Sequence, residues 1–113
     1  MREIKFKCYV RFLREVHNVI ELRSDGSVIT DGYEYAIEKD AIDLMQFTGW
    51  KDYNGDEIYE GDILECENDY LWVVGFANGS FVAQVPSDES EFVSLDECDF
   101  GLVGNIHENG DLL

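Results

Sequence analysis

Short runs of alternating apolar and polar residues, separated by turn signals, dominate the sequence. From Ile4 to Val10 the chain alternates apolar and basic residues before the register is lost, as expected for a half-buried strand. This pattern predicts that Ile4, Phe6 and Cys8 point inward.

A hairpin is predicted next, because Val19–Arg23 and Ser27–Thr30 flank the turn signal Asp25-Gly26. From Tyr33 to Met45 the apolar spacing fits neither a helix nor a strand template, so we expect a short helix or an irregular segment.

The second half of the chain has a turn signal every eight to twelve residues, which is typical of a small barrel or sandwich. Asn54-Gly55 is the strongest dipeptide signal for a type I′ turn, and Asn68-Asp69 and Asn78-Gly79 follow it. Pro86 ends a strand because it lacks an amide donor. About five strands between Ile58 and Ile106 would suit an SH3-like barrel.

The length of 113 residues corresponds to a single domain. Its charge is unusual: residues 1–50 hold nine acidic and seven basic side chains (net −2), and residues 51–113 hold sixteen and one (net −15), which gives −17 in all. Such a chain is repelled by nucleic-acid phosphates and by anionic membrane surfaces, so we expect no direct nucleic-acid or membrane partner.

The charge asymmetry suggests two interpretations. The basic residues near the N-terminus could meet the acidic half of another copy, or both sets could be solvated faces, which the composition favours. The basic residues in question are Arg2, Lys5, Lys7, Arg11 and Arg14.

Neither an apolar signal core nor a run of about 20 apolar residues is present, so the cytoplasm is the expected location. The three cysteines, Cys8, Cys66 and Cys98, are odd in number and widely spaced. This spacing fits neither a disulfide framework nor a zinc site, and we expect reduced thiols.

No catalytic or metal-binding constellation is evident. Asp52, Asn54 and Asp56 have the spacing that opens an EF-hand loop, but Glu57 and Ile63 stand where that loop needs glycine and glutamate. A hairpin turn explains these residues better. A Cys98–His107 pair brought together by folding is disfavoured against ordinary packing. We therefore expect no enzyme and no cofactor.

Aromatic residues cluster where the barrel is predicted, and most are expected in its core or in an interface. Trp50 and Tyr53 lie beside a polar turn, so they are the members of the cluster that we expect to stand exposed, where they could line a peptide groove. The cluster comprises Trp50, Tyr53, Tyr59, Tyr70, Trp72, Phe76 and Phe81.

The segment from Leu44 to Ile63, LMQFTGWKDYNGDEIYEGDI, resembles the signature of the YopX family of bacteriophage and prophage proteins. The opening Arg2–Phe6 and the segment from Val103 to Asn109 also resemble that family. Cys8-Tyr9 and His107 depart from its usual residues. The resemblance spans nearly the whole chain, 1–113, as a single domain.

The resemblance implies a mainly β protein. It would have an N-terminal self-association segment of hairpin and short helix (1–49) and a C-terminal SH3-like small barrel (50–113). It implies no established activity. Gly49, Gly55 and Gly61 are explained as turn residues, Leu44, Ile58 and Ile63 as core, and Asp62 as an acceptor for neighbouring amides. The signature or interface candidates are Gln46, Thr48, Trp50, Asp52, Tyr53, Asn54, Gly55, Tyr59, Gly61 and Asp62, of which Gln46, Thr48 and Asp52 suggest a buried polar network or an interface.

We therefore expect a non-enzymatic phage or prophage accessory protein that self-associates and contacts a host or phage protein. The alternative is an acidic nucleic-acid mimic that occupies the DNA site of a host protein, although its acids are interleaved with core-forming residues. An enzyme is the third and least favoured class.

Overall fold

A computed structural model describes residues 4–66 and 70–113 of the chain. Within these ranges the chain forms eleven strands and two single 3-10 turns, at Lys39–Ala41 and Gly110–Leu112. The strands are β1 (Phe6–Val10), β2 (Glu15–Leu22), β3 (Val28–Thr30), β4 (Tyr33–Ile37), β5 (Ile42–Lys51), β6 (Glu57–Tyr59), β7 (Asp62–Glu65), β8 (Leu71–Ala77), β9 (Ser80–Val85), β10 (Asp88–Ser94) and β11 (Gly101–Asn105).

The strands form two antiparallel sheets, ordered β4-β3-β2-β1-β5-β6 and β10-β9-β8-β7-β11. The chain passes from the first sheet to the second between Tyr59 and Asp62, later than the predicted division at Gly49 and Trp50. The mainly β prediction is confirmed. Neither sheet closes on itself in the described part of the chain, so the SH3-like small barrel is not confirmed.

The first predicted hairpin is confirmed. β2 pairs with β3 across the turn at residues 24–26, and Gly26 has a φ of +89°, a left-handed conformation that glycine adopts without a steric penalty. Cys8 is fully buried as predicted, but Ile4 is 75% exposed because β1 begins only at Phe6.

The segment from Tyr33 to Met45 is mostly strand, and the short helix expected there is limited to a single 3-10 turn. β4 pairs with β3, and β5 pairs with β1 from Ile42 to Gln46. The local sequence pattern does not favour helix or strand here. Pairing with β3 and β1 supplies the backbone hydrogen bonds and selects the strand conformation.

Two predicted Asn-Gly turns differ in type. Asn78 and Gly79 both have positive φ, 52° and 83°, as a type I′ turn requires, and they join β8 to β9. At Asn54-Gly55 only Gly55 has positive φ, so this connection is a longer turn and not type I′. The turn predicted at Asn68-Asp69 lies outside the described residues.

Three apolar clusters hold the sheets together. One packs Ile58 of β6, in the first sheet, against Leu64 and Phe81 of the second sheet and against Phe100, and the others lie on the first sheet. Leu44, predicted to be core, is 39% exposed, whereas the other two core candidates of the signature are buried. No helix among the described residues is long and apolar enough to cross a membrane.

Candidate functional site

The carboxylate of Asp52 organises the turn between β5 and β6. Its Oδ1 accepts hydrogen bonds from the amides of Asn54 (2.9 Å) and Asp56 (2.8 Å), and its Oδ2 accepts one from the amide of Leu102 (3.0 Å). Because Leu102 belongs to β11, this one buried side chain connects the turn of the first sheet to the second sheet.

Backbone amides surround the carboxylate of Asp52. Burial disfavours its charge, but the hydrogen bonds from Leu102, Asp56 and Asn54 outweigh burial and hold the pKa of Asp52 below its usual value. Both oxygens are therefore used by backbone amides. In residues 4–66 and 70–113 no three His, Cys, Asp or Glu side chains are grouped to hold a metal ion.

Thr48 fixes the pairing of β5 with β6. Its hydroxyl donates to the carbonyl of Ile58 (2.8 Å) and accepts from the amide of Trp50 (3.1 Å). Gly49, between Thr48 and Trp50, has a φ of +89°. It lies where the register of the β5–β6 pairing shifts. The glycine predicted as a turn residue therefore forms an irregularity inside a strand.

A corner at Tyr59–Asp62 carries the chain from one sheet to the other. The amide of Tyr59 donates to Oδ2 of Asp62 (2.7 Å), as predicted for this aspartate. Gly61 has φ +86°, and its amide and carbonyl bond to Val74 and Ile106 at 2.9 Å each. The corner is thereby bound to both β8 and the segment after β11. The carbonyl of Gln46 accepts the amide of Glu60 (2.9 Å), which places another signature residue beside the corner.

A polar cleft of about 330 Å³ opens beside this corner. Burial of Asp62 raises the pKa of its carboxyl group from 3.8 to about 7, although the Tyr59 amide and the charge of Lys7 oppose the shift. The Lys7 ammonium lies 4.6 Å from the centre of the Tyr59 ring. Burial, together with the nearby charge of Glu57, raises the pKa of the Tyr59 hydroxyl to about 12.

A second groove, of about 520 Å³, lies on the other side of the Asp52 turn. It is lined by Tyr53, Asn54, Glu65, Cys66, Asp99 and the start of β11. Tyr53 and Trp50 are 69% and 44% exposed, as expected, and Tyr70 and Phe76 are also exposed, so fewer aromatics are core than predicted. The Tyr53 ring packs on Gly101, where a Cβ would come within 2.7 Å of it.

The prediction of reduced cysteines is wrong for two of the three. Cys66 and Cys98 form a disulfide across 32 residues, with their Cα atoms 6.4 Å apart. The fold brings the end of β7 next to the loop after β10, a proximity that sequence spacing does not reveal. Only Cys8 is free, and its burial raises the pKa of its thiol to about 11.

Both histidines have side-chain contacts inside the fold. His17 is buried and hydrogen-bonded to Thr30 Oγ1 (2.9 Å) and Glu15 Oε1 (2.8 Å). His107 stacks on Tyr9 with ring centres 5.2 Å apart, and the sulfur of Cys98 is bonded to that of Cys66. These contacts are structural.

Two of the N-terminal basic side chains, Lys5 and Arg11, form ion pairs within the chain. Lys5 pairs with Glu57, and Arg11 forms a two-pronged pair with Asp43 at 2.6 and 3.1 Å. These two cations therefore meet acids of their own copy. Arg2 lies outside the described residues.

Sequence reasoning missed an exposed aromatic row at the edge of the first sheet. Phe12 contacts Tyr33 edge-on, with ring centres 5.5 Å apart, and Tyr33 contacts Tyr35 in the same way at 5.8 Å. Phe12 and Tyr35 are 56% and 64% exposed. The alternation of Tyr33, Tyr35 and Ile37 is the strand signal that could have revealed it.

The comparisons with known proteins agree with this architecture. A search of the curated proteins finds no significant match. Among solved structures, protein EF1440 from Enterococcus faecalis is similar to this chain with 27% sequence identity and a TM-score of 0.76, covering 100% of this chain and 99% of that one. The family model described as "YopX protein" matches residues 11–113, so the opening Arg2–Phe6 lies outside the match. The chain therefore belongs to the YopX family.

Proposed function

We propose that this YopX-family chain is a non-enzymatic phage or prophage accessory protein that self-associates through the β4 edge of its first sheet. Self-association would present several copies of the second sheet to a host or phage protein in the bacterial cytoplasm. The observation that carries the proposal is the exposed aromatic row on this edge strand.

Among residues 4–66 and 70–113, β4 lies at the end of the first sheet and pairs on one side only, with β3. An edge strand carries unpaired backbone amides and carbonyls that another strand can use. Phe12 and Tyr35, at this edge, are 56% and 64% exposed, and Ile20 and Leu22 on β2, two strands away in the same sheet, are 67% and 45% exposed. Exposed apolar side chains at an open edge favour a protein contact.

A second copy is the occupant that suits this edge, because the sequence of β4 is complementary to itself. Tyr35 is the central residue of Tyr33–Ile37, so antiparallel pairing about a two-fold axis at Tyr35 sets Tyr33 against Ile37 and Glu34 against Ala36. Tyr35 then faces its own copy as an aromatic cross-strand pair. The only charged residue of the strand does not meet itself, which matters in a chain of net charge −17.

The strand order of the second sheet supports the SH3-like assignment of the C-terminal part. β7 to β10 form a meander, and β11 returns to pair with β7 on the far side. The groove beside Tyr53 lies on this sheet and is lined by an exposed aromatic ring, as peptide grooves often are.

Sedimentation velocity of the wild type and of Tyr35→Glu tests the proposal. The substitution places two carboxylates opposite each other at the proposed axis, and we expect the dimer dissociation constant to rise at least about tenfold. The matched control is Tyr70→Glu, which changes an equally exposed tyrosine (67%) outside the first sheet and should leave the dimer unchanged.

A wild-type chain that stays monomeric at about 100 μM, a concentration at which even weak edge pairing is populated, would refute self-association. A dimer that resists Tyr35→Glu but dissociates on Tyr70→Glu would move the interface to the second sheet.

A further inference from the structure

The disulfide between Cys66 and Cys98 holds the loop of residues 95–100, which connects β10 to β11. Cys66 follows β7, and Cys98 lies in the connection between β10 and β11. Both side chains are half-buried and pack against the apolar cluster that Ile58 forms with Leu64, Phe81 and Phe100 on the second sheet. The bridge therefore ties the loop of residues 95–100 to that sheet.

This loop supports the Asp52 turn. The carbonyl of Phe100 accepts the amide of Tyr53 (3.2 Å), and the amide of Phe100 donates to the carbonyl of Cys98 (3.0 Å). The Phe100 ring is buried and meets Trp72 edge-on with ring centres 6.2 Å apart. One chain of contacts thus runs from the disulfide through Phe100 to the turn.

The groove of about 520 Å³ beside the turn gives access to the bridge, because Cys66 forms part of its wall. Its volume is sufficient for a small thiol. The third cysteine cannot compete as an internal nucleophile: Cys8 is fully buried on the first sheet, and burial keeps its thiol protonated.

Negative charge surrounds the same groove. Glu65 and Asp99 line it, and residues 51–113 contain sixteen acidic side chains against Lys51 alone. A thiol reagent that carries a negative charge is repelled from such a site, and a cationic reagent is attracted to it.

We propose that Cys66–Cys98 is a thiol–disulfide exchange site that reacts with cationic thiols in preference to anionic ones and whose reduction releases the loop 95–100. The thiolate of the reagent attacks Cys66 Sγ, and a bond forms between these two sulfurs. The Cys66–Cys98 bond breaks, its electron pair stays on Cys98 Sγ, and that sulfur takes a proton from solvent.

A second thiolate of the reagent then attacks the reagent sulfur of the mixed disulfide and releases Cys66 as a thiolate, which is protonated. The two reagent thiols are oxidised to a disulfide, and the protein disulfide is reduced to two thiols, so electrons and protons balance. The reagent itself is the only co-reactant.

The test compares cysteamine, whose thiolate also carries an ammonium group, with 3-mercaptopropionate, whose thiolate also carries a carboxylate, on the oxidised full-length protein. Reduction is followed by alkylation and intact mass. Each rate is divided by the thiolate concentration and by the rate on a neutral small-molecule disulfide, to remove differences in intrinsic reactivity. We expect a ratio of about tenfold in favour of cysteamine at low salt, falling towards unity at about 1 M salt because the charges are screened.

The double variant Glu65→Gln/Asp99→Asn should lower this ratio several-fold. The control Glu34→Gln removes one negative charge from β4, away from the groove, and should leave the ratio unchanged. Hydrogen exchange supplies the second readout: the amide of Phe100 and that of Tyr53 should exchange faster after reduction. Cys66→Ser should reproduce this faster exchange without a reductant, and Cys8→Ser should not.

Equal normalised rates for the two thiols would overturn the charge selectivity. Unchanged exchange in the loop 95–100 after complete reduction would overturn its release. Three alkylated cysteines in a chain that is kept in air-equilibrated buffer and then unfolded without a reductant would show that no bridge forms and would overturn the proposal entirely.

Discussion

The carboxyl group of Asp62 should make the stability of the protein depend on pH in a defined direction. This side chain is 8% exposed at the corner between the two sheets, and burial raises its pKa from 3.8 to about 7. The folded chain therefore binds the proton of Asp62 more tightly than the unfolded chain does. Its stabilising contribution is complete below about pH 4 and is lost as the pH rises through about 7.

The magnitude follows from the same two pKa values. A pKa difference from 3.8 to about 7 changes the free energy of unfolding by at most about 4 kcal/mol between low and high pH, at 1.36 kcal/mol per pKa unit. Water in the adjoining cleft and the Lys7 ammonium both relieve the ionised carboxylate, so we expect about half of that value, ~2 kcal/mol.

Asp62→Asn isolates this contribution, because asparagine keeps an oxygen that can accept the amide of Tyr59 but cannot ionise. Unfolding in guanidinium chloride should be measured from about pH 4.5 to pH 8. The free energy of unfolding of the variant, minus that of the wild type, should rise by about 2 kcal/mol over this range.

The control is Asp96→Asn, which removes one negative charge from an exposed position and shows how much of the pH dependence comes from the overall charge. If the wild type and Asp62→Asn lost stability in parallel as the pH rises, burial of this carboxyl group would not determine the pH dependence, and the reasoning would be refuted.

Two further predictions concern the Asp52 turn and the overall charge. Asp52→Ala removes the acceptor for three backbone amides and should lower the free energy of unfolding by about 3 kcal/mol, at about 1 kcal/mol per hydrogen bond; a loss below about 1 kcal/mol in guanidinium chloride unfolding would contradict this role. Asp52→Asn, which keeps one acceptor oxygen, should lose less. With a net charge of −17, the midpoint of thermal unfolding near neutral pH should rise by a few degrees on adding about 0.3 M NaCl, because salt screens like-charge repulsion, and a fall in differential scanning calorimetry would count against this explanation.

Local turn chemistry could be predicted from the sequence wherever the backbone itself limits the conformation. Asp25-Gly26 and Asn78-Gly79 both join paired strands, since few residues adopt the positive φ that such tight connections need. Asn54-Gly55 carries the same signal but forms a different turn. There the carboxylate of Asp52 binds two amides of the turn and one of β11, so a contact distant in sequence selects the geometry.

Burial was harder to predict than strand formation. Leu44 and Ile58 both belong to the signature, yet the first is 39% exposed and the second 2%. The identity of an apolar residue sets how favourable burial would be, but the neighbours that cover it depend on the order of strands in the sheet. The strand order also explains why Phe12 and Tyr35 are exposed. β4 is an edge strand, so no further strand covers the aromatic row.

The sequence by itself determined that the chain is mainly β, where several of its turns lie, and that it belongs to the YopX family, because alternation, glycine conformations and a long signature act over a few residues at a time. Only the tertiary structure decided that Cys66 meets Cys98, that Asp62 is buried between two sheets and that β4 is left without a second partner. Each of these depends on segments far apart in the chain, and their proximity follows from the summed packing of both sheets, which no local pattern records.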